Sequence, residues 1–309
     1  MASSTQKVAT FALLVATAVW GATFVTVKDA LSGSDVFTFL SLRFTVGALT
    51  AGTLALVLER RGGFSVAALK AGVGLGVLLY GGYALQTVGL ETTTPARSAF
   101  ITGLAVIFVP FVSWRLTGQR PPTRAFVAPA IALLGLQQLT GVSLNDPIPT
   151  GDLLTLGCAV VYAIHIAGIG QWGKGLPVLQ LTAVQLSVVA VLSAASLPFV
   201  ERRFEPTGSY WAAVLFTGVV ASALAIGAQV WAQAQVTAVR AAVIYSLEPV
   251  FAISWAAVTG LGWPSVAEWV GGGFILAAVM VSEVPLPSVA APATPDSRPQ
   301  RGASRTTRP

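Results

Sequence analysis

"TPARSAFITGLAVIF" at Thr94–Phe108 and "TAVRAAVIYSLEPVF" at Thr237–Phe251 carry one pattern, written twice at a spacing of 143 residues. Thr94 meets Thr237, Arg97 meets Arg240, Ala99 meets Ala242, Ile101 meets Ile244, Leu104 meets Leu247 and Phe108 meets Phe251. Outward from there the register holds without a gap, pairing Gln86 with Gln229, Pro121 with Pro264 and Val127 with Val270. Near the start of each half a spacing of 142 sets Trp20-Gly21 against Tyr162-Ala163 and Arg43 against Gln185. Self-similarity over such a length marks an internal repeat.

What repeats is apolar. Of 309 residues 54% are hydrophobic and 10% charged, where a soluble domain carries roughly 25% charged residues. A bilayer core about 30 Å thick is crossed by roughly 20 apolar residues in helical form, because the backbone must satisfy its own hydrogen bonds there. Ten such runs fill the chain: 8–27, 36–58, 70–90, 95–117, 124–142, 151–170, 177–199, 210–234, 238–260 and 265–284. The expected fold is an all-α integral membrane protein of ten transmembrane helices. A first repeat covers 8–142 and a second 151–284, and the Pro-, Ser-, Thr- and Arg-rich segment 285–309 reads as a disordered cytoplasmic tail. Five crossings are an odd number, so the two halves enter the membrane from opposite sides as inverted repeats, a plan common among secondary transporters.

A net charge of +6 would suggest nucleic acid in a soluble protein; here the positions of the basic residues matter more, and no nucleic-acid partner is expected. With a cytoplasmic N-terminus, Lys7, Arg60, Arg61, Lys70, Arg115, Arg120, Arg124, Lys174, Arg240 and the tail arginines fall inside. Lys28, Arg97, Arg202 and Arg203 fall outside, and both termini are expected in the cytoplasm. The loop "ERRFEP" at 201–206 runs against the rule. Lys7 and "ATA" at 16–18 resemble a secretory signal, but nine later spans favour a retained helix. The single Cys158 excludes an internal disulfide. Few lysines in an Ala-, Val- and Gly-rich chain suggest a bacterial plasma membrane.

Within "AVIYSLEPVFAISW", Ala242–Trp255, a carboxylate and a helix breaker stand side by side. Glu248 begins about 15 Å into its span at 1.5 Å per residue, near the midplane. A carboxylate there costs on the order of 2.5 to 3.5 kcal/mol unless it is protonated, paired or facing a wet cavity, so Glu248 either lines a path or pins helices together. Pro249 frees the Tyr245 carbonyl, and Tyr245 and Glu248 share a helix face with it. Pro110, one turn beyond the position equivalent to Pro249, is expected to break the matching helix, and paired interruptions point to a transporter's central site.

Arg43, always charged and inside a span, needs an anion, carbonyls or water; the alternatives are an ion pair with Glu248 or an anchor for a substrate carboxylate. His165, the one histidine, is a proton relay or an interhelical hydrogen bond. Gln86 and Gln229 either coordinate a polar substrate or pin helices. Arg97 and Arg240 read as interfacial snorkels. Trp20, Tyr80, Tyr162, Trp231 and Trp255 are candidates for aromatic walls, and Trp114, Trp172 and Trp269 for interface anchors. The glycines of "GVGLG" at 72–76 and "GGG" at 271–273 suit close helix packing rather than phosphate binding, since no strand precedes and no Lys-Ser/Thr follows.

The chain resembles the EamA family of the drug/metabolite transporter superfamily. The resemblance is carried by "WGATF" at 20–24 with Lys28, "LRF" at 42–44, and "GYALQTVGLETTTPARSAFITGLAVIFVPF" at 82–111. It continues in "GDLLTLGCAVVYAIHI" at 151–166, "SLEPVFA" at 246–252 and "GGGFILAAVMV" at 271–281. It implies ten spans, no ATP-binding domain, and export or import of amino acids, related metabolites or drugs, with export favoured. Where many relatives have an acid after the glycine following span nine, this chain has Gly262-Trp263.

The reading is a secondary carrier of small metabolites working by alternating access. Its site residues are Glu248, Arg43, Tyr245, Pro249, Trp20, Gln86, Gln229 and His165, with Pro110 and Pro249 as helix breaks. Its partners are the lipid bilayer and a small-molecule substrate, with a coupling proton and a homodimer left open. No cofactor or metal is expected: a lone histidine and a lone cysteine give no metal cluster, and no catalytic triad is evident. The rivals are a non-transporting sensor or assembly protein and a membrane enzyme acting on lipid-linked substrates.

Overall fold

Polar caps set the helix starts. Ser3 and Gln6 form a capping box for the first helix, Asp35 accepts from the Thr38 amide at 2.9 Å at the second, and Thr94 and Thr237 cap equivalent helices through the amides of Arg97 and Arg240. The computed structural model describes residues 3–59, 63–120, 126–141, 148–258 and 263–283. The expected tail at 285–309, and Arg60, Arg61, Pro121, Arg124 and Gly262, lie outside these residues.

The helices are α1 (Ser4–Ala30), α2 (Val36–Leu58), α3 (Val66–Thr92), α4 (Pro95–Gly103), α5 (Ala105–Thr117), α6 (Val127–Thr140), α7 (Thr150–Trp172) and α8 (Val178–Ser196). They continue as α9 (Gly208–Leu215), α10 (Ala225–Gln233), α11 (Ala238–Tyr245), α12 (Glu248–Val258) and α13 (Val266–Glu283). A π-helical stretch, Phe216–Leu224, joins α9 to α10. Among the described residues the single β-type pairing is an isolated bridge between Ser34 and Phe204.

Among the described residues eight segments are long and apolar enough to cross a membrane. The remaining two expected spans are shorter apolar helices, Val127–Leu139 and Val266–Ser282, which belong to α6 and α13 and pack along each other. Large hydrophobic side chains such as Leu49, Leu56, Phe111, Val191, Leu276 and Met280 stand exposed, as surfaces facing lipid do. Two apolar cores fill the interior, one including Phe39, Phe44, Leu75 and Leu186, the other Val106, Leu136, Ile244 and Ile275.

Packing between the halves repeats with the partners exchanged. A Cβ placed on Gly218 would lie 2.7 Å from the Arg43 carbonyl oxygen and 2.8 Å from Val46 Cβ; one placed on Gly76 would lie 3.0 Å from the Gln185 carbonyl oxygen and 2.7 Å from Val188 Cβ. Each residue of the first contact stands 142 positions from its counterpart in the second. Gly72 and Gly271 likewise sit against Val184 and Leu139, so the glycine-rich stretches serve close helix approach, where a side chain would hold the helices apart.

Loops on one face are stitched together by the Asp35 amide bonding the Arg203 carbonyl at 2.9 Å and the Glu205 amide bonding Gly33 at 2.8 Å. On the opposite face Glu59 accepts from the amides of Leu179 and Gln180, each at 3.0 Å, closing the start of α8. Arg203, in the loop that runs against the charge rule, donates to the carbonyls of Leu31 and Ser34. Lys28 donates to the carbonyls of Leu90, Glu91 and Thr93. These charges serve to hold loops and helix ends.

Candidate functional site

Two interrupted helices define the site. The fourth segment pauses between α4 and α5 at Leu104, and the ninth between α11 and α12 at Ser246-Leu247. Leu104 donates to the Ile101 carbonyl at 3.1 Å and Leu247 to the Ile244 carbonyl at 3.0 Å, the same tightened turn at repeat-equivalent positions. Pro249 lies in the first turn of α12, where an absent N–H costs little. The break expected at Pro110 is displaced: α5 runs through that buried proline, and the interruption falls six residues earlier, beside Gly103, a residue that holds helix poorly.

A cavity opens between the two breaks. About 80 Å³ of it is reachable by the centres of water molecules, against roughly 10–15 Å³ needed to hold one water.

Its wall is built from repeat-equivalent positions. Trp20 and Tyr162, Thr23 and His165, Tyr83 and Ile226, Gln86 and Gln229, Thr102 and Tyr245, Gly103 and Ser246, and Ala105 and Glu248 all line it. The symmetry is positional and not chemical. The second half places a histidine, a tyrosine, a serine and a carboxylate where the first places two threonines, a glycine and an alanine.

Most expected site residues meet here: Glu248, Tyr245, Trp20, Gln86, Gln229 and His165 all face the cavity. His165 Nε2 and Gln185 Oε1 are 2.8 Å apart, so this imidazole both lines the cavity and ties α7 to α8. Gln86 donates to Thr102 at 3.0 Å. Gln229 donates to Gln233 at 3.0 Å, and Gln233 in turn donates to the Ile166 carbonyl at 2.8 Å. Trp20 Nε1 donates to the Ala221 carbonyl at 2.8 Å, and its ring meets Tyr245 edge-on at 5.5 Å.

Arg43 and Glu248 form no ion pair. Arg43, 2% exposed, donates from Nε to Ser222 at 3.1 Å and from Nη2 to the Tyr83 hydroxyl at 3.3 Å. Its guanidinium lies 4.7 Å from the Tyr83 ring centre and 5.0 Å from that of Phe44, a seat stabilised by cation–π attraction. Arg43 therefore stands behind the wall and positions Tyr83. The π-helical stretch makes this seat, since it carries Ser222 and also the Ala221 carbonyl that receives Trp20.

The carboxylate of Glu248 has no hydrogen bond or ion pair with any described residue, and its helix is held against α1 at Gly21, where a Cβ would lie 2.7 Å from the Glu248 carbonyl oxygen. Of the other expected aromatic walls, Tyr80 bonds Ser196 at 2.6 Å, Trp231 packs against the second apolar core, and Trp255 is 51% exposed. Trp114, Trp172 and Trp269 are exposed near helix ends. The expected snorkels are partnered: Arg97 pairs with Asp152, and Arg240 donates to Thr10 at 2.6 Å. Thr10 and Asp152 are themselves 142 residues apart.

Tyr83, Thr23, Thr102 and Ser246 were not expected in the wall. Applying the repeat spacing to the expected site residues yields Thr23 from His165 and Thr102 from Tyr245; Tyr83 had no such signal. Among the described residues no group of three or more His, Cys, Asp or Glu side chains is placed to hold a metal.

The pattern of the EamA-like transporter family matches residues 7–139 and 149–283. An uncharacterized transporter of Archaeoglobus fulgidus is 30% identical over 263 residues, 85% of this chain and 82% of that one. The uncharacterized transporter YoaV of Bacillus subtilis is 20% identical over 279 residues, 87% and 92% of the two chains. A crystal structure 22% identical superposes with a TM-score of 0.75 over 89% of this chain and 97% of that one, which shows the fold.

Proposed function

We propose, for a chain that belongs to the EamA-like transporter family, that it is a secondary carrier exporting small metabolites, such as amino acids, related compounds or drugs, by alternating access. In this reading ten helices form two inverted five-helix halves, 8–142 and 151–284, with both termini in the cytoplasm. The halves rock about the cavity between the paired breaks.

The observation that carries the reading is the wall itself. A cavity lined by equivalent positions of two repeats is what a carrier needs if each half is to take, in turn, the conformation of the other. The exchanged contacts of Gly76 and Gly218 support the same conclusion, because they give the two halves matching hinge surfaces. Glu248 serves at the centre as substrate contact or proton-coupling acid, the two roles open to a carboxylate that faces a wet cavity inside a membrane.

An efflux and resistance screen of deletion and overexpression strains identifies a substrate, and solute counterflow in proteoliposomes then tests transport. Glu248→Gln should abolish coupled transport or change its pH dependence. Wild-type transport with an unaltered pH response would remove Glu248 from the mechanism, and binding without counterflow would favour a sensor.

A further inference from the structure

We infer that the cavity takes an amphipathic amine, with its ammonium against Glu248 and its apolar body toward the first half of the wall. The inference rests on the cavity being the substrate site of the proposed carrier, and it follows from a census of donors and acceptors.

One N–H of each wall amide, and the indole N–H, is turned to a protein acceptor. Gln86 gives to Thr102, Gln229 to Gln233, and Trp20 to the Ala221 carbonyl. The Ser246 hydroxyl gives to the Val243 carbonyl at 2.6 Å and Thr23 to the Trp20 carbonyl at 2.7 Å. The guanidinium that could meet a substrate carboxylate, Arg43, is held by Ser222 and screened by the Tyr83 ring. Among the described residues the Glu248 carboxylate and the Tyr162 hydroxyl face the cavity without a hydrogen-bond partner, and of the two Glu248 is the acceptor and the group of formal charge.

A half-buried acceptor of formal charge is completed by a ligand that brings N–H donors and positive charge. The surrounding rings favour the same ligand. Trp20 and Tyr245 meet edge-on at 5.5 Å, and Tyr83 and Tyr162 at 5.7 Å, and aromatic faces attract ammonium groups. The asymmetry of the wall orients it: Glu248, Tyr245 and Ser246 come from the second half, and their counterparts Ala105, Thr102 and Gly103 from the first. A zwitterion would have to leave its carboxylate without a free cation, and an anion would face Glu248 directly.

Three probes sharing one ring test this: tryptamine, tryptophan and indole-3-acetate, a cation, a zwitterion and an anion at neutral pH. Titration calorimetry on the detergent-solubilised full chain should show tryptamine binding at least tenfold tighter than tryptophan, with indole-3-acetate weakest. Glu248→Gln, folded by its gel-filtration profile, should lose that preference. If the variant does not fold, the wild-type charge series decides by itself. Equal or tighter binding of tryptophan, no binding of tryptamine, or unchanged tryptamine binding by Glu248→Gln would overturn the inference. Tryptamine binding that obeys these expectations but gives no counterflow in proteoliposomes would leave the amine site standing and overturn the transport reading instead.

Discussion

Alanine at Gly76 and at Gly218 should destabilise the protein to a similar degree, because each glycine makes the other's contact with the halves exchanged. A Cβ at Gly218 meets the Arg43 carbonyl oxygen at 2.7 Å and Val46 Cβ at 2.8 Å; a Cβ at Gly76 meets Val188 Cβ at 2.7 Å and the Gln185 carbonyl oxygen at 3.0 Å. Carbon atoms in comfortable contact stand about 3.5–4.0 Å apart, so each helix pair must separate by roughly 0.7 Å or more. Several of the opposing atoms are backbone or Cβ, which cannot swing away, and overpacking of this kind costs about 1–3 kcal/mol. Gly74 is the control, since a Cβ there meets nothing within 4 Å and Gly74→Ala should stay within about 0.5 kcal/mol of wild type. Reversible unfolding in mixed micelles, followed by tryptophan fluorescence, measures all three. If either Gly76→Ala or Gly218→Ala behaves like Gly74→Ala while the other loses 2 kcal/mol or so, the exchanged packing is not what holds the halves together.

Other outcomes follow from particular contacts. Asp152→Asn removes the charge paired with the part-exposed Arg97 and weakens the acceptor that Thr93 meets at 2.5 Å; it should cost about 1–3 kcal/mol in the same unfolding assay. Gly82→Ala drives a methyl group into the Tyr162 ring; it should weaken ligand binding about tenfold, and Tyr162→Ala in the same chain should not add a second full loss, as a double-mutant cycle would register. Ser222→Ala removes one hydrogen bond from the buried Arg43 guanidinium. The expected cost is about 1–3 kcal/mol, with a measurable fall in affinity because Tyr83 loses its support.

The apolar spans and the repeat were legible in the sequence because lipid and helix geometry leave few solutions, and because residues such as Gln86 and Gln229 kept their identity in both halves. Six of the eight expected site side chains reach the cavity for the same reason: a polar residue deep in an apolar span has few places to go. Arg43 was harder. Its partners Ser222 and Tyr83 come from other helices, the first 179 residues away, and no local pattern announces them. The break at Leu104 was misplaced because Pro110 is a strong signal for a kink, yet α5 accommodates it. The π-helical stretch "FTGVVASAL" at Phe216–Leu224 has the composition of an ordinary apolar helix; its widening serves tertiary contacts with Trp20 and Arg43. Arg203, which runs against the charge bias expected from the sequence, donates to the carbonyls of Leu31 and Ser34, contacts visible in three dimensions alone.

Access to the cavity from each side of the membrane is the most direct test of the central claim. Ala105, the small counterpart of Glu248 in the wall, can be made cysteine in a chain whose buried Cys158 is replaced by alanine. A membrane-impermeant maleimide is then offered to right-side-out and inside-out vesicles. Alternating access predicts labelling of Ala105→Cys from both sides, slowed in each case by bound ligand; labelling from one side alone, at a rate indifferent to ligand, would contradict it.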